Sequence, residues 1–373
     1  MENVAEYKHS VNIWRVISPF LLVLGACGNV LTILVLARKR SRNSSTAIFL
    51  TALAFSDLLV LLSGLLRQWI MYTFDIDVRE LTPGGCKIHI FLVYFSLQYS
   101  SWLLVAVTCE RFVGVWLPHR VKQGCTQFSA VVVISVLGVC LITLNAHWFY
   151  GVGRSTYAEG NVTLQTNCDS IFDHYDTFLV YTWPWIDLCV FSLVPLTILV
   201  VGNLAILIRV FISKYKTRVQ IAPANPQSKN PRDDKTRQLT IMLSTLNLVF
   251  FVCTTPVSIY LIIEPYLMTH MTSDEDIAVL YLWWAVVNCF MYLNNSINFI
   301  LYFLSGSRFR DEVKALLFGG RGRSLFRGMT TRVAPIATGS GNEPAKIAQS
   351  ELTQETAFRS DRTNNEQPTT SHA

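Results

Sequence analysis

Charge is scarce in this sequence: Asp, Glu, Lys and Arg make up 15% of 373 residues, against roughly 25% in an ordinary soluble domain. With a mean hydropathy of +0.37, the deficit excludes a water-soluble globular protein. Alternating strands of the kind a membrane barrel requires are lacking. No His-x-x-x-His pair falls in an apolar stretch, and Asp57 and Asp187 belong at different depths, which argues against an intramembrane enzyme. Matching halves with interrupted spans, the mark of many transporters, are also missing. The net charge of +6 belongs to basic loops beside anionic headgroups and implies no nucleic-acid partner.

Apolar residues fill the space that charge leaves, at 51% of the chain. Windows of about 20 residues place seven spans near 11–37, 46–73, 86–111, 127–150, 178–211, 237–264 and 277–304. Without water to satisfy its amides, each span must be a helix closing its own hydrogen bonds. The expected fold is therefore an all-α seven-transmembrane helix bundle, with residues 1–10 before it and residues 305–318 and 319–373 after it. The polar start MENVAEYKHS lacks the features of a cleaved leader.

Lys and Arg set the orientation. Arg38, Lys39, Arg40 and Arg42 follow the first span, Arg120 and Lys122 the third, and Lys214, Lys216, Arg218, Lys229, Arg232 and Lys235 the fifth. Acids gather on the other side, at Glu159, Asp169, Asp173 and Asp176 and again at Asp274, Glu275 and Asp276. The amino terminus is thus expected outside and the carboxyl terminus in the cytoplasm of a multi-pass plasma-membrane protein. Of nine cysteines only Cys86 and Cys168 fall on the oxidising side, so one disulfide is expected between them. Asn161-Val162-Thr163 on that side is a glycosylation acceptor triplet.

Ionisable groups inside a membrane are costly and mark function. Asp57 is expected to meet Asn29, Ser100, Asn294 and Asn298. Such a cluster reads either as a site for a small hard cation or waters or as a hydrogen-bonded core that fixes helix register.

In order along the chain, these markers resemble the rhodopsin-like family of G-protein-coupled receptors, from about residue 20 to 318. Asn29 follows Gly28 in the first span, Asp57 lies in the second, and Cys86 opens the third. Glu110-Arg111-Phe112 resembles the family's acid-Arg-aromatic triplet, Pro195 and Pro256 the prolines of the fifth and sixth helices, with Phe250 before the latter, and Asn298-Phe299-Ile300-Leu301-Tyr302 the Asn-Pro-x-x-Tyr motif. Thr254, Asn203 and Phe299 depart from the family's usual Trp, Tyr and Pro, a pattern associated with invertebrate peptide receptors.

The resemblance implies a switch in which Glu110 restrains Arg111 until the sixth helix swings out, Arg111 then meeting a heterotrimeric G protein and Asn298, Tyr302, Phe250 and Pro256 rearranging with it. It implies no catalysis and no cofactor beyond a candidate allosteric sodium ion at Asp57, Ser100, Asn294 and Asn298. Phe309, Val313, Leu316 and Leu317 share a stripe that resembles the family's short amphipathic eighth helix on the membrane lipid. Hydroxyls from Ser350 to Ser371 offer a tail that a receptor kinase would phosphorylate and arrestin would read.

For the ligand, Val93 stands where amine receptors need an aspartate, and no lysine in 277–304 can hold retinal, Tyr292 taking its place. Arg67, Gln68, Tyr94, Gln98, Asp187, Glu264, Trp284, Asn288 and Tyr292 form the expected pocket, with charges of both signs. Its chemistry suits a short peptide, and the acidic stretch from Glu264 to Asp276 suits a cationic one. A small polar chemosensory ligand and a non-signalling receptor are the alternatives.

Overall fold

The computed structural model describes residues 4–38, 44–117, 119, 124–159, 162–220 and 231–317. Seven helices in it are long and apolar enough to cross a membrane: α1 (Ala5–Leu36), α2 (Ser45–Phe74), α3 (Pro83–Trp116), α4 (Gln127–Gly151), α5 (Asp173–Ile212), α6 (Pro231–Met268) and α7 (Asp274–Ser305). An eighth, α8 (Ser307–Leu317), follows.

Local chemistry sets the helix ends. Thr82 caps α3 by accepting from the Gly85 amide at 2.9 Å. Thr126 and Ser129 form a reciprocal capping box at α4. Ser273 accepts from the Asp276 amide at 3.1 Å at the start of α7, and α2 stops where Asp75 turns left-handed at φ 56°. The first turn of α7 holds Asp274, Glu275 and Asp276, where acids favour the positive helix end. Those three acids, expected in a loop, therefore belong to a helix.

Three further boundaries differ from expectation. Residues 5–10 are already helical, because nothing in Ala5–Ser10 breaks the turn that leads into α1. Helix α5 begins at Asp173, and α6 begins at Pro231, whose fixed φ suits a first helical position. Between α4 and α5 lies a strand pair, β1 (Val152–Glu159) with β2 (Val162–Ser170), antiparallel and shifted in register between Gly153 and Ser155. Its Val, Thr and Tyr content favours the pairing of this hairpin, which the apolar runs of the sequence did not indicate. Asn161, Arg120, Lys122 and residues 318–373 lie outside the described residues.

Helix α2 is central, with 56% of its most apolar window buried, whereas α4 buries 11% and presents Phe128, Val132, Val136 and Val139 outward. Outward apolar side chains are the arrangement a lipid solvent demands. Helix α1 packs on α7 and α2, α3 on α2 and α5, and α6 on α7. Three π-turns interrupt the helices, at Leu61–Leu65 in α2 and at Phe178–Thr182 and Leu188–Leu193 in α5. Such turns often re-aim side chains at functional sites. The first places Gly64 against α7, where an added Cβ would lie 2.6 Å from the Tyr292 hydroxyl.

In α8, Phe309 and Val313 face inward, Phe309 against Phe299 and Tyr302. Arg38 ties this helix to the end of α1 through Glu312 at 3.4 Å. Leu317 is exposed, as a surface helix seated on lipid requires.

Candidate functional site

A disulfide joins Cys86, at the start of α3, to Cys168 in β2, with Cα atoms 5.3 Å apart. It holds the hairpin over an aromatic cluster of Trp148, Tyr175 and Trp183. Beside that cluster lies a cavity of about 300 Å³. Arg67, Gln68, Tyr94, Asp187, Trp284, Asn288 and Tyr292 line it, as expected. Gln98 and Glu264 do not. Gln98 is fully buried behind the wall, and half-buried Glu264 lies toward the end of α6.

Arg79, His89, Trp148 and Phe191 also line the cavity and had no counterpart in the sequence reading. Arg67 neither snorkels outward nor pairs with Asp187. It grips Asp77, with Nε 2.9 Å from Oδ1 and Nη2 2.5 Å from Oδ2. Arg79 binds the same carboxylate, its Nη2 2.8 Å from Oδ2 and its amide 3.0 Å from Oδ1. Burial alone would raise the Asp77 carboxyl, but hydrogen bonds from Arg67 and Arg79, with the Arg67 charge, hold it well below the usual carboxylate range. Asp77 therefore stays ionised and fixes the loop between α2 and α3 as part of the cavity wall. His89 places Nε2 2.7 Å from the Ser63 carbonyl, while its Nδ1 is buried without a partner.

Deeper in the bundle, Asp57 accepts from Ser100 at 2.7 Å, from Asn295 Nδ2 at 2.7 Å and from Asn298 Nδ2 at 2.7 Å. Asn29 joins through the Asn295 carbonyl at 3.0 Å. Asn294 takes no part, and its place belongs to Asn295. Both amides turn their nitrogens to the carboxylate, so the oxygens nearest a cation there are those of Asp57 and Ser100. Among the described residues no group of three His, Cys, Asp or Glu could hold a metal ion.

At the opposite end from the disulfide, Glu110 and Arg111 do not bind each other directly. Glu110 accepts from Ser45 and from Thr46 Oγ1, the latter at 2.8 Å, while Arg111 Nη2 donates to the same Thr46 hydroxyl. The expected direct restraint is thus corrected: α2 supplies a hydroxyl that both charged groups share. The Arg111 Nε and the Tyr302 hydroxyl are buried without partners.

Between the two ends, Phe191 of the cavity meets Phe250 of α6 edge to face at 6.2 Å. Thr254 donates to the Phe250 carbonyl at 2.7 Å and Asn203 to the Leu199 carbonyl at 2.8 Å. Thr254 thus satisfies its hydroxyl within its own helix turn, whereas Asn203 satisfies only its Nδ2 there and leaves Oδ1 buried without a partner. Phe299 packs where a Cβ on Gly28 would lie 2.9 Å from its own Cβ, so α1 and α7 are in close contact there.

A family model described as 7 transmembrane receptor (rhodopsin family) matches residues 28–302. Neuromedin-U receptor 1 of Rattus norvegicus is 28% identical over 309 residues, covering 80% of this chain and 71% of the relative. Neuromedin-U receptor 2 of Mus musculus is 26% identical over 304 residues, covering 79% and 72%. The blue-sensitive opsin of Gallus gallus is 28% identical over 323 residues, covering 84% and 81%. With seven spanning helices, the disulfide and the family match over most of its length, the chain belongs to the rhodopsin family of seven-transmembrane receptors and is a multi-pass membrane protein.

Proposed function

We propose that this receptor binds a short peptide at its disulfide-bearing end and activates a heterotrimeric G protein at its Arg111 end. The observation that carries the reading is the cavity, a walled space lined by Arg67, Arg79 and Asp187 together with the rings of Tyr94, Trp148, Phe191, Trp284 and Tyr292. Such a lining suits a ligand with polar groups of both signs more than a lipid. The neuromedin-U receptors among its relatives support a peptide. Likeness to an opsin extends to the fold alone, since Tyr292 occupies the place of the retinal lysine and 277–304 contains none.

In this reading the disulfide end is extracellular and the Arg111 end cytoplasmic, following the Lys and Arg of the loops. Agonist contact with Phe191 is passed to Phe250 and so to α6, whose movement frees Arg111 from Thr46. The ligand acts by binding the open state better; a hundredfold preference supplies roughly 2.7 kcal/mol. Phosphorylation of the tail by a receptor kinase would then recruit arrestin.

The cavity volume favours one second reading. About 300 Å³ lies at the small end of ligand pockets, enough for a small polar chemosensory molecule or for the tip of a peptide. Expression with a promiscuous G protein and a calcium readout, screened against peptide pools and small polar molecules, separates the two. A peptide hit that Trp284→Ala weakens supports the proposal. Activation by small molecules alone, at equal surface expression, overturns the peptide assignment.

A further inference from the structure

Asp187 is the cavity-lining carboxylate that has no direct ion pair of its own: it is buried, and among the described residues it pairs with no Lys, Arg or His. Its one hydrogen bond comes from Gln98 Nε2, 2.9 Å from Oδ1. The cations that line the same cavity are occupied elsewhere: Arg67 and Arg79 share Asp77, and His89 faces the Ser63 carbonyl. An ionised carboxylate in a low-dielectric wall is costly unless a cation arrives.

The wall behind Asp187 is built to hold it in one orientation. An amide side chain such as Gln98 can present either oxygen or nitrogen. Asn145 of α4 removes that choice by donating from Nδ2 to Gln98 Oε1 at 2.7 Å, while the same Nδ2 also donates to the Leu141 carbonyl at 2.9 Å. Gln98 and Asn145 are both fully buried. With its oxygen committed to α4, Gln98 must turn its nitrogen to Asp187 on α5. Tyr94 and Trp148, stacked on each other at 4.8 Å, line the same cavity as Asp187.

We infer that Asp187 is the receiving group for a cationic side chain of the ligand, and that Gln98 and Asn145 are positioning residues that keep its carboxylate turned to the cavity. This deepens the peptide reading and rests on it. It also moves the source of cation preference from the acids at the start of α7, which serve that helix's own end, to a buried acid inside the cavity. Gln98, expected as a ligand contact, becomes a support, and Asn145 gains a role that sequence spacing did not suggest.

The test compares an arginine with citrulline, which has nearly the same shape and no charge. Full-length receptor is purified into lipid nanodiscs and its thermal unfolding followed with N-acetyl-arginine amide or N-acetyl-citrulline amide. The arginine probe is expected to stabilise the wild type with affinity about tenfold or more above citrulline. Asp187→Asn removes the difference between the two probes. Asn145→Leu reduces the arginine preference without abolishing it, because Gln98 still donates to Asp187 but is no longer fixed from α4. Equal stabilisation by both probes, stabilisation by neither, or a preference that survives Asp187→Asn overturns the inference. Matched arginine and citrulline peptides in the calcium assay keep the two claims apart: signalling to both alike removes the cation site and leaves the peptide receptor standing, whereas silence to all peptides beside an arginine-selective shift removes the peptide reading and keeps the site.

Discussion

In the proposed switch, Thr46 is the residue that links Arg111 to Glu110. Its single hydroxyl donates to Glu110 and accepts from Arg111, so Thr46→Val breaks both contacts at once, while Thr46→Ser keeps them. One hydrogen bond contributes about 1 kcal/mol, enough to move a two-state population about fivefold. Basal nucleotide exchange on a G protein should therefore rise about fivefold in Thr46→Val and stay near wild type in Thr46→Ser. An unchanged basal rate in Thr46→Val, at equal expression, would show that Arg111 is held by something else. Gly64 offers a second residue-level check. A methyl group there meets the Tyr292 hydroxyl at 2.6 Å and its ring at 3.0 Å, and overpacking of this kind costs about 1–3 kcal/mol. Gly64→Ala should lower the unfolding midpoint and weaken agonist potency about tenfold, because Tyr292 is pushed into the cavity it lines.

The disulfide and the loop after α2 set the surroundings of the cavity, the disulfide by tying the hairpin to α3 and the loop by placing Arg79 in the wall. Cys86 and Cys168 close a segment of the chain with a sequence separation of 82, and removal of a native disulfide costs about 2–4 kcal/mol. Cys168→Ser should reduce surface expression and, in the receptor that remains, loosen ligand binding. Asp77 gives the facing loop its pH behaviour. Its folded pKa is depressed, so its stabilisation is complete above the unfolded carboxylate value and is lost only as pH falls through the lower folded value. Ligand affinity should therefore show no contribution from Asp77 titration between pH 5 and 8, whereas Asp77→Asn leaves two arginines without their shared partner and weakens both folding and binding. A transition in wild-type affinity near pH 4–5 that Asp77→Asn removes would contradict this.

At this scale the sequence was readable where one physical rule dominates. Twenty-residue apolar runs must be helices in lipid, so all seven spans were legible. The strands of the hairpin obey no such rule, because they lie outside the apolar runs. Asn294 and Asn295 show the same limit. Each lies one helical turn before Asn298, so helical periodicity alone permits either beside Asp57, and only the rotation of α7 against α2 selects Asn295. The Arg67 partner was hidden for a related reason: Asp77 reaches it only once the chain has turned at Asp75 and folded back.

Across the whole molecule, the account joins a charged cavity at one end to Arg111 at the other through packed side chains that can repack. Its parts were unequally legible. Membership of the family followed from motifs that fall in order, while the roles of Gln98 and Glu264 did not, because depth along a span does not reveal whether a side chain reaches a cavity or stops behind its wall. The central claim is that ligand binding at the disulfide end frees Arg111 for a G protein. The most direct measurement is ligand-stimulated nucleotide exchange on a purified G protein, with wild-type and Arg111→Ala receptor in nanodiscs and the agonist from the peptide screen. The account predicts stimulation by the wild type and loss of exchange in Arg111→Ala with agonist affinity retained within about threefold. Full stimulated exchange by Arg111→Ala would contradict it.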